Sequence, residues 1–414
     1  MGHIGIIAEY NPFHNGHAYQ IDKIHTLYPD KGILAVISGD FVQRGEPAIY
    51  NKYLRTKSAL ACGCDIVFEL PSLFATASAE HFASAAVLAL AATGVVDTLC
   101  FGAEDDNLDD FFQIANLLVD EPEEYSLLLQ SHLKNGVSYP KARALAVNEY
   151  FNNAHLGSLL GKPNNILGIE YIKAIIRYNL TITPVIIKRN GAGYHDTSTN
   201  TPVCSATALR THIQATGFSY SLNDNMPAAV FKLLSQSIYA NPLSVKHFYP
   251  MLQYALWEHK DNYNDYLEMN TEIANQLKSL NSYPSSFEGL VDYLTTKNQT
   301  SSRIRHALCN LLLGYTKQDM MLAKEQNYIT YLRLLGFERS SSSILKEMKQ
   351  TASVPIINKV TDAFRQLSGT QLLAFQKDIA VSTLYHHVFS NVYKQTMPSE
   401  YEHTVIIKDE SHIL

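Results

Sequence analysis

Two histidines three residues apart around a glycine, His14-Asn15-Gly16-His17, carry the most specific chemistry in the chain. They follow an apolar run, Ile4–Ala8, that reads as a buried strand, and they precede a helical pattern set by Ile21, Ile24 and Tyr28. A helix N-terminus after such a strand presents unpaired backbone N–H groups and the positive end of a dipole, a setting that suits phosphate. Gly16 lets backbone approach a ligand closely, and two imidazoles beside it can donate hydrogen bonds to one phosphate as charge builds there. For the spacing alone, two surface histidines in a turn is the plain alternative. A second constellation, Ser205-Ala206-Thr207-Ala208-Leu209-Arg210, offers two hydroxyls, helix-start N–H groups and a guanidinium fork. Taken by itself it is equally an N-capped helix.

These groups need a scaffold, and the first two hundred residues supply its pattern. Short apolar runs at Ile4–Ala8, Ile33–Ile37, Ile66–Leu70, Val95–Phe101 and Ile182–Ile187 alternate with helix-length segments. Near-continuous apolar strands of this kind predict an α/β domain with a doubly wound parallel sheet, whose ligands sit beyond the carboxyl ends of the strands. Helices over Phe111–Leu118, Tyr125–Leu133 and Lys141–Tyr150 read as an insertion at about residues 105–160. From about residue 220 the strand alternation stops. Segments such as Ala228–Ser237, Leu267–Leu280, Phe287–Leu294 and Ile304–Leu313 have helical spacing, predicting a mainly α-helical domain over 220–414 after a catalytic domain over 1–219. The tail, Tyr401–Ile407, is strand-like and is expected to join a sheet elsewhere.

At 414 residues the chain is long enough for two or three domains of about 100–200 residues each. Hydrophobic residues make up 46% and charged residues 17%, which excludes wholesale disorder. The net charge of −6 gives no global basic field. Residues 1–215 hold 15 Lys and Arg against 21 Asp and Glu, and residues 216–414 hold 18 against 18, so the second half is freer to meet a polyanion. Five cysteines without framework spacing suit a reducing cytosol. Cys62-Gly-Cys64 lacks the second pair a structural zinc site needs, no other metal-ligand motif is evident, and buried thiols are the simpler reading. No signal peptide is evident, and the longest apolar stretch, Phe82 to Val96, falls short of a membrane span. The expectation is a cytoplasmic protein without a membrane segment. A P-loop and a dinucleotide fingerprint are both missing, as is a synthetase-type Lys-Met-Ser-Lys-Ser.

His14-Asn15-Gly16-His17 resembles the HxGH signature of the nucleotidyltransferase superfamily that includes class I aminoacyl-tRNA synthetases, and it stands where that family places it. Ser205 to Arg210 resembles the Ser-x-Thr-x-Ile-Arg motif of adenylyltransferases, with Leu209 in place of Ile. Longer blocks resemble one narrower family, the bacterial tRNA(Met) cytidine acetate ligases: Gly39 to Ala48, Asp65 to Pro71, Phe101 to Glu104, Asn164 to Tyr171 and Lys188 to Asp196. Thr300 to Arg305 and Tyr331 to Phe337 match more loosely. The resemblance implies an enzyme that activates acetate with ATP as acetyl-adenylate, then transfers the acetyl group to N4 of the wobble cytidine of elongator tRNA(Met). Magnesium is expected only in company with ATP.

The ATP site that the resemblance implies carries over onto Ile7, Ala8, Glu9, Tyr10, Asn11, Pro12, Phe13, His14, Asn15, Gly16, His17, Ala18, Tyr19 and Gln20, with Gly102, Asn165 and Arg189. Ser205, Thr207 and Arg210 complete the phosphate clamp, and Lys188 is added from its position beside Arg189. His14 and His17 are the expected catalytic pair. Gly102, placed just past a strand end, would admit a nucleotide without a clash or be a plain turn glycine. Asn165 would be a site residue or cap a helix over Ile166–Tyr178. Asp40 and Arg44, in the segment with Gln43, Glu46 and Lys52, would line an acetate or target-base pocket or belong to a salt-bridged structural loop. Lys297, Arg303, Arg305 and His306 are candidates for gripping tRNA, although residues two apart on a helix diverge by about 200° and cannot share one face. Two other readings stay open: an adenylyltransferase for a phosphorylated pantetheine or nicotinamide nucleotide, and a non-enzymatic nucleotide or tRNA binder with a degenerate site.

Overall fold

Residues 2–189 and 204–409 are described in the computed structural model. Ten strands form: β1 (His3–Ala8), β2 (Ile33–Ser38), β3 (Phe41–Val42), β4 (Glu46–Pro47), β5 (Ile66–Leu70), β6 (Val96–Ala103), β7 (Thr183–Lys188), β8 (Leu332–Glu338), β9 (Ile356–Ile357) and β10 (Ile406–Lys408). Eight of them make one sheet in the order β10-β8-β5-β2-β1-β6-β7, with β9 also paired to β8. β1, β2, β5, β6 and β7 run parallel, as the apolar runs predict. Their side chains alternate between two cores. Ile4, Ile6, Ile33, Ala35 and Ile37 pack under the helices Asn15–Leu27 and Lys52–Ala61, while Leu34, Val36, Ile66 and Phe68 face the helices Ala79–Ala92 and Pro163–Arg177. A parallel sheet buried on both faces is what such runs require. β3 and β4 form a separate small hairpin after β2.

The strand order reverses at β1, with β2 and β5 on one side and β6 and β7 on the other. That switch point opens a crevice at the carboxyl ends of β1 and β6. Several expected boundaries shift. Gly102 lies inside β6, near its carboxyl end and not past it, because the pairing with β7 continues through Gly102–Ile187 and Ala103–Lys188. The helix expected from Leu267 starts at Thr271, where Asn270 accepts a hydrogen bond from the Ile273 N–H and Glu268 has a left-handed φ of 62°.

The second half is helical around its own core of Leu252, Ile273, Leu290, Ile304 and Leu308. It also returns three strands to the sheet. β8 pairs antiparallel with β5, and β10 pairs parallel with β8, so the strand-like tail does reach a sheet. A 25-residue helix, Gly369–Tyr393, packs behind the junction. No helix among the described residues is long and apolar enough to cross a membrane. All five cysteines are free, and burial raises the thiols of Cys62, Cys64 and Cys100 to about 12.

Candidate active site

The turn after β1 is locked from several directions. Tyr10 takes a left-handed φ of 49°, and Asn11 Oδ1 accepts the Ile49 N–H at 2.8 Å. His14 is the N-cap of the first helix: its Nδ1 accepts the Gly16 N–H at 3.0 Å, and Nδ1 of His17 accepts the His14 N–H at 3.2 Å. Two orphan donors of the helix start are thereby satisfied by the two histidines themselves. With both Nδ1 atoms accepting, each neutral ring carries its proton on Nε2, which makes Nε2–H the donor left for a ligand. The rings stack 3.8 Å apart, and Tyr10 and Phe13 pack against His17. Burial, then the nearby Arg189 and Arg210 charges, lowers His14 to about 3. Burial, with His14 and Arg189 behind it, holds His17 well below its ordinary value.

A cavity of about 400 Å³ opens over this turn. Its polar wall is made by Glu9, Asn11, His14, His17, Gln43, Arg44, Arg189, Ser205, Thr207 and Arg210. Phe82, Phe101, Ile166, Leu167 and Tyr171 line it with apolar surface, wide enough for an aromatic base. Ser205 caps the helix Ala206–Thr216, its Oγ accepting the Ala208 N–H at 3.0 Å. The segment therefore both caps a helix and lines the cavity with Ser205, Ala206, Thr207 and Arg210. Arg210 donates to the Asn11 carbonyl at 2.8 Å and lies 3.3 Å from Thr207 Oγ1, which also receives a hydrogen bond from Arg44 at 3.0 Å. Two motifs separated by about 190 residues thus become one wall. Asn11 Nδ2 is buried without a hydrogen-bond partner.

Of the other sequence candidates, Ile7, Ala8, Tyr10, Gln20 and Gly102 line the cavity. Gly102 sits against Arg189, whose Cγ would lie 3.4 Å from an added Cβ. Pro12, Phe13, Asn15, Gly16, Ala18 and Tyr19 support the turn and the helix without lining the cavity; Asn15, for example, donates to the Asp224 carbonyl. Lys188 is exposed and pairs with Asp106 at 3.1 Å. Asn165 is buried behind the wall, where its Oδ1 accepts the N–H groups of Glu104 and Asp105 and shapes the loop after β6. Asp40 is fully buried and outside the cavity, whereas Arg44 lines it. Asn190 to Asp196, part of the block that begins at Lys188, lie outside the described residues.

The four candidates for tRNA separate as helix geometry demands. On the helix Ser301–Leu313, Arg303 is exposed, Arg305 binds Glu288 with both guanidinium nitrogens, and His306 is buried with Nε2 at 2.6 Å from the Gln43 carbonyl. Lys297 is exposed, near Gly136. Ser302, at the start of the same helix, lines the cavity mouth and so brings the helical half to the site. Sequence reasoning missed Ser302 and the apolar wall, although Ser302 falls within the loosely matching Thr300–Arg305 block. It also missed Arg55. This buried guanidinium donates to the carbonyls of Glu9 and Ser38 at 2.8 Å, of Tyr50 at 3.0 Å, and of Gly39, fixing the carboxyl ends of β1 and β2.

Residues 1–400 match the model of the HIGH nucleotidyl transferase family. The chain is 37% identical over 393 residues to the tRNA(Met) cytidine acetate ligase of Thermoanaerobacter sp. (strain X514), covering 94% of this chain and 96% of that one. It is 33% identical over 411 residues to the tRNA(Met) cytidine acetate ligase of Acetivibrio thermocellus, covering 98% and 99%. Among solved structures it resembles apo Thermotoga maritima TmcAL with a TM-score of 0.92 at 30% identity, covering 99% of this chain and all of that one. The same protein bound with alpha-thio ATP matches with a TM-score of 0.90 at 29% identity and the same coverage.

Proposed function

The chain belongs to the HIGH nucleotidyl transferase family and, within it, to the tRNA(Met) cytidine acetate ligases, and on that premise we propose that it acetylates N4 of the wobble cytidine of elongator tRNA(Met), using acetate and ATP. A carboxylate oxygen of acetate attacks the α-phosphorus of ATP. The bond to the bridging oxygen breaks, pyrophosphate leaves, and acetyl-adenylate forms. N4 of cytidine then attacks the acetyl carbonyl carbon, AMP departs with the former acetate oxygen, and N4 loses a proton.

The observation that carries this reading is the pair of neutral histidines, both Nδ1 atoms engaged by backbone, on one wall with Arg189 and Arg210. Such preorganised donors act where charge develops in the transition state, which is where they lower a barrier. In this reading the Nε2–H groups hold the α-phosphate, Arg189, Arg210 and the Ser205–Thr207 helix start hold the outer phosphates, and the apolar wall with Phe82 and Tyr171 takes adenine. Arg44 faces acetate. Glu9 is the one carboxylate among the described lining residues, its Oε1 accepts the Gln43 N–H, and it would be the residue to hold a magnesium ion accompanying ATP, which would offset phosphate charge. The helical half brings tRNA to the mouth at Ser302, with Arg303 and Lys297 on phosphates. A cytidine held there must be unstacked so that its N4 edge meets the acyl carbon. The domain division, catalytic over 1–219 and tRNA-binding over 220–414, is part of this proposal.

Acetate-dependent exchange of labelled pyrophosphate into ATP tests the first half-reaction without tRNA. Exchange that requires acetate supports it. Exchange that appears only with a phosphorylated pantetheine or a nicotinamide nucleotide would replace it with the small-molecule reading.

A further inference from the structure

Beneath the β3–β4 hairpin lies a buried polar cluster that the reaction above does not use. Lys52 Nζ lies 2.9 Å from both carboxylate oxygens of Glu69, 2.9 Å from Ser382 Oγ and 3.0 Å from Glu400 Oε2, and Arg333 reaches the same Oε2 at 3.2 Å. The Tyr53 hydroxyl donates to Glu400 Oε1 at 3.1 Å, and Asp40 Oδ1 accepts the Lys52 backbone N–H at 2.8 Å. Five polar atoms of the cluster are left over: Nε and Nη1 of Arg333 and, in side chains 0% and 4% exposed, Asp40 Oδ2 and both ring nitrogens of His386, all buried with no hydrogen-bond partner. Each such orphan is destabilising when nothing fills the gap. They are not scattered: one ligand atom from each of Asp40, His386 and Glu400 lies within 4.8 Å of the other two.

We propose that Asp40, His386 and Glu400 bind a single divalent transition-metal ion of the zinc class. One imidazole and two carboxylates form a donor set that suits such an ion, with a fourth position for water. Both carboxylates are already oriented on their far oxygens, Asp40 Oδ1 by the Lys52 N–H and Glu400 Oε2 by Lys52 and Arg333, as ligating carboxylates are in metal sites, while Glu400 Oε1 also accepts the Tyr53 hydroxyl. The carboxylates of Asp40, Glu69, Asp378 and Glu400 share this interior with the cations of Lys52, Arg55 and Arg333. The ammonium of Lys52 opposes the ion, but Glu69, Ser382 and Glu400 Oε2 hold it, whereas Glu400 Oε1 lies 4.0 Å from His386 Nε2. None of the three ligands lines the nucleotide cavity, so this site is separate from any magnesium brought by ATP. Its role is structural: it ties the start of the hairpin segment that carries Arg44 to the long C-terminal helix and to the segment before β10.

The test uses the full chain, stripped with a chelator and re-equilibrated with Zn2+ or, for its visible absorption, Co2+. The expected result is one equivalent retained per chain after gel filtration, a Co2+ spectrum of four- or five-coordinate intensity, and a melting temperature raised by Zn2+. His386→Gln and Asp40→Asn, both close to isosteric, are expected to weaken binding about 100-fold or more and to abolish the thermal shift. A wild-type chain that retains no stoichiometric metal, or a Co2+ spectrum that survives both substitutions, would overturn the proposal and leave water as the occupant. Should either variant fail to fold, the wild-type stoichiometry and spectrum still decide.

Discussion

At the scale of single residues, adenylate formation turns on where two protons sit. Because Nδ1 of both His14 and His17 accepts a backbone N–H, each neutral ring must donate through Nε2. His14→Ala and His17→Ala are each expected to slow acetyl-adenylate formation about 100-fold or more while sparing tRNA affinity, read by pyrophosphate exchange and by filter binding. Stability should follow the same ring. Burial lowers His14 to about 3 in the ligand-free fold, whereas the unfolded chain takes up its proton near 6.5. Acid therefore favours the unfolded state, so this contribution is complete above about pH 6.5 and is lost as the pH falls toward 3. His14→Gln, which does not titrate, should flatten the dependence of melting temperature on pH across that window; an unaltered slope would contradict the buried neutral ring. Gly102 gives a size test. An added Cβ meets Arg189 at ordinary contact distance, so Gly102→Ala should bind ATP nearly as wild type, while Gly102→Leu should raise the ATP Kd about tenfold or more by displacing that guanidinium, measured by calorimetry. The histidine pair and the Ser205–Arg210 clamp were legible in sequence because each is a local motif of chemically specialised side chains. Arg55 and the apolar wall were not, since their roles depend on what the fold sets opposite them.

At the scale of elements, the junction between the β3–β4 hairpin and the helix Ser301–Leu313 joins the two halves. Gly45, with a left-handed φ of 71°, lies so close that a Cβ would come within 2.8 Å of the Arg305 backbone, and His306 reaches the Gln43 carbonyl beside it. Only Arg303 of that helix's three basic candidates is exposed without burial in this junction. Arg303→Ala should weaken tRNA binding and reduce its salt dependence by about one phosphate contact. His306→Ala should instead lower the melting temperature through a lost buried hydrogen bond, worth about 1–3 kcal/mol, with the salt slope unchanged. Identical salt slopes for wild type and Arg303→Ala would remove this helix from the RNA interface. The five parallel strands were readable because each is an apolar run bounded by turn residues. β8 was not: Leu332 to Glu338 is also a buried apolar strand, but it sits among helical segments with no alternation around it to mark the change.

At the scale of the whole molecule, one sheet draws its strands from both halves of the chain. β8, β9 and β10 come from the helical half and extend the sheet beyond β5, and Glu400 in the same region meets Lys52 from the first half. Such pairing between positions some 270 to 350 residues apart leaves no trace in local periodicity, which is why the return of β8 and β9 to the sheet was not legible in the sequence. The same is true of Asp40, His386 and Glu400, a cluster that exists only after folding. What the joined halves accomplish is a single catalytic sequence, and its most direct test is mass spectrometry of nucleosides from unmodified tRNA incubated with the protein, ATP, magnesium and isotopically labelled acetate. Labelled N4-acetylcytidine is expected in elongator tRNA(Met), absent without ATP. Pyrophosphate release from ATP and acetate with no labelled nucleoside in any tRNA would contradict that catalytic sequence.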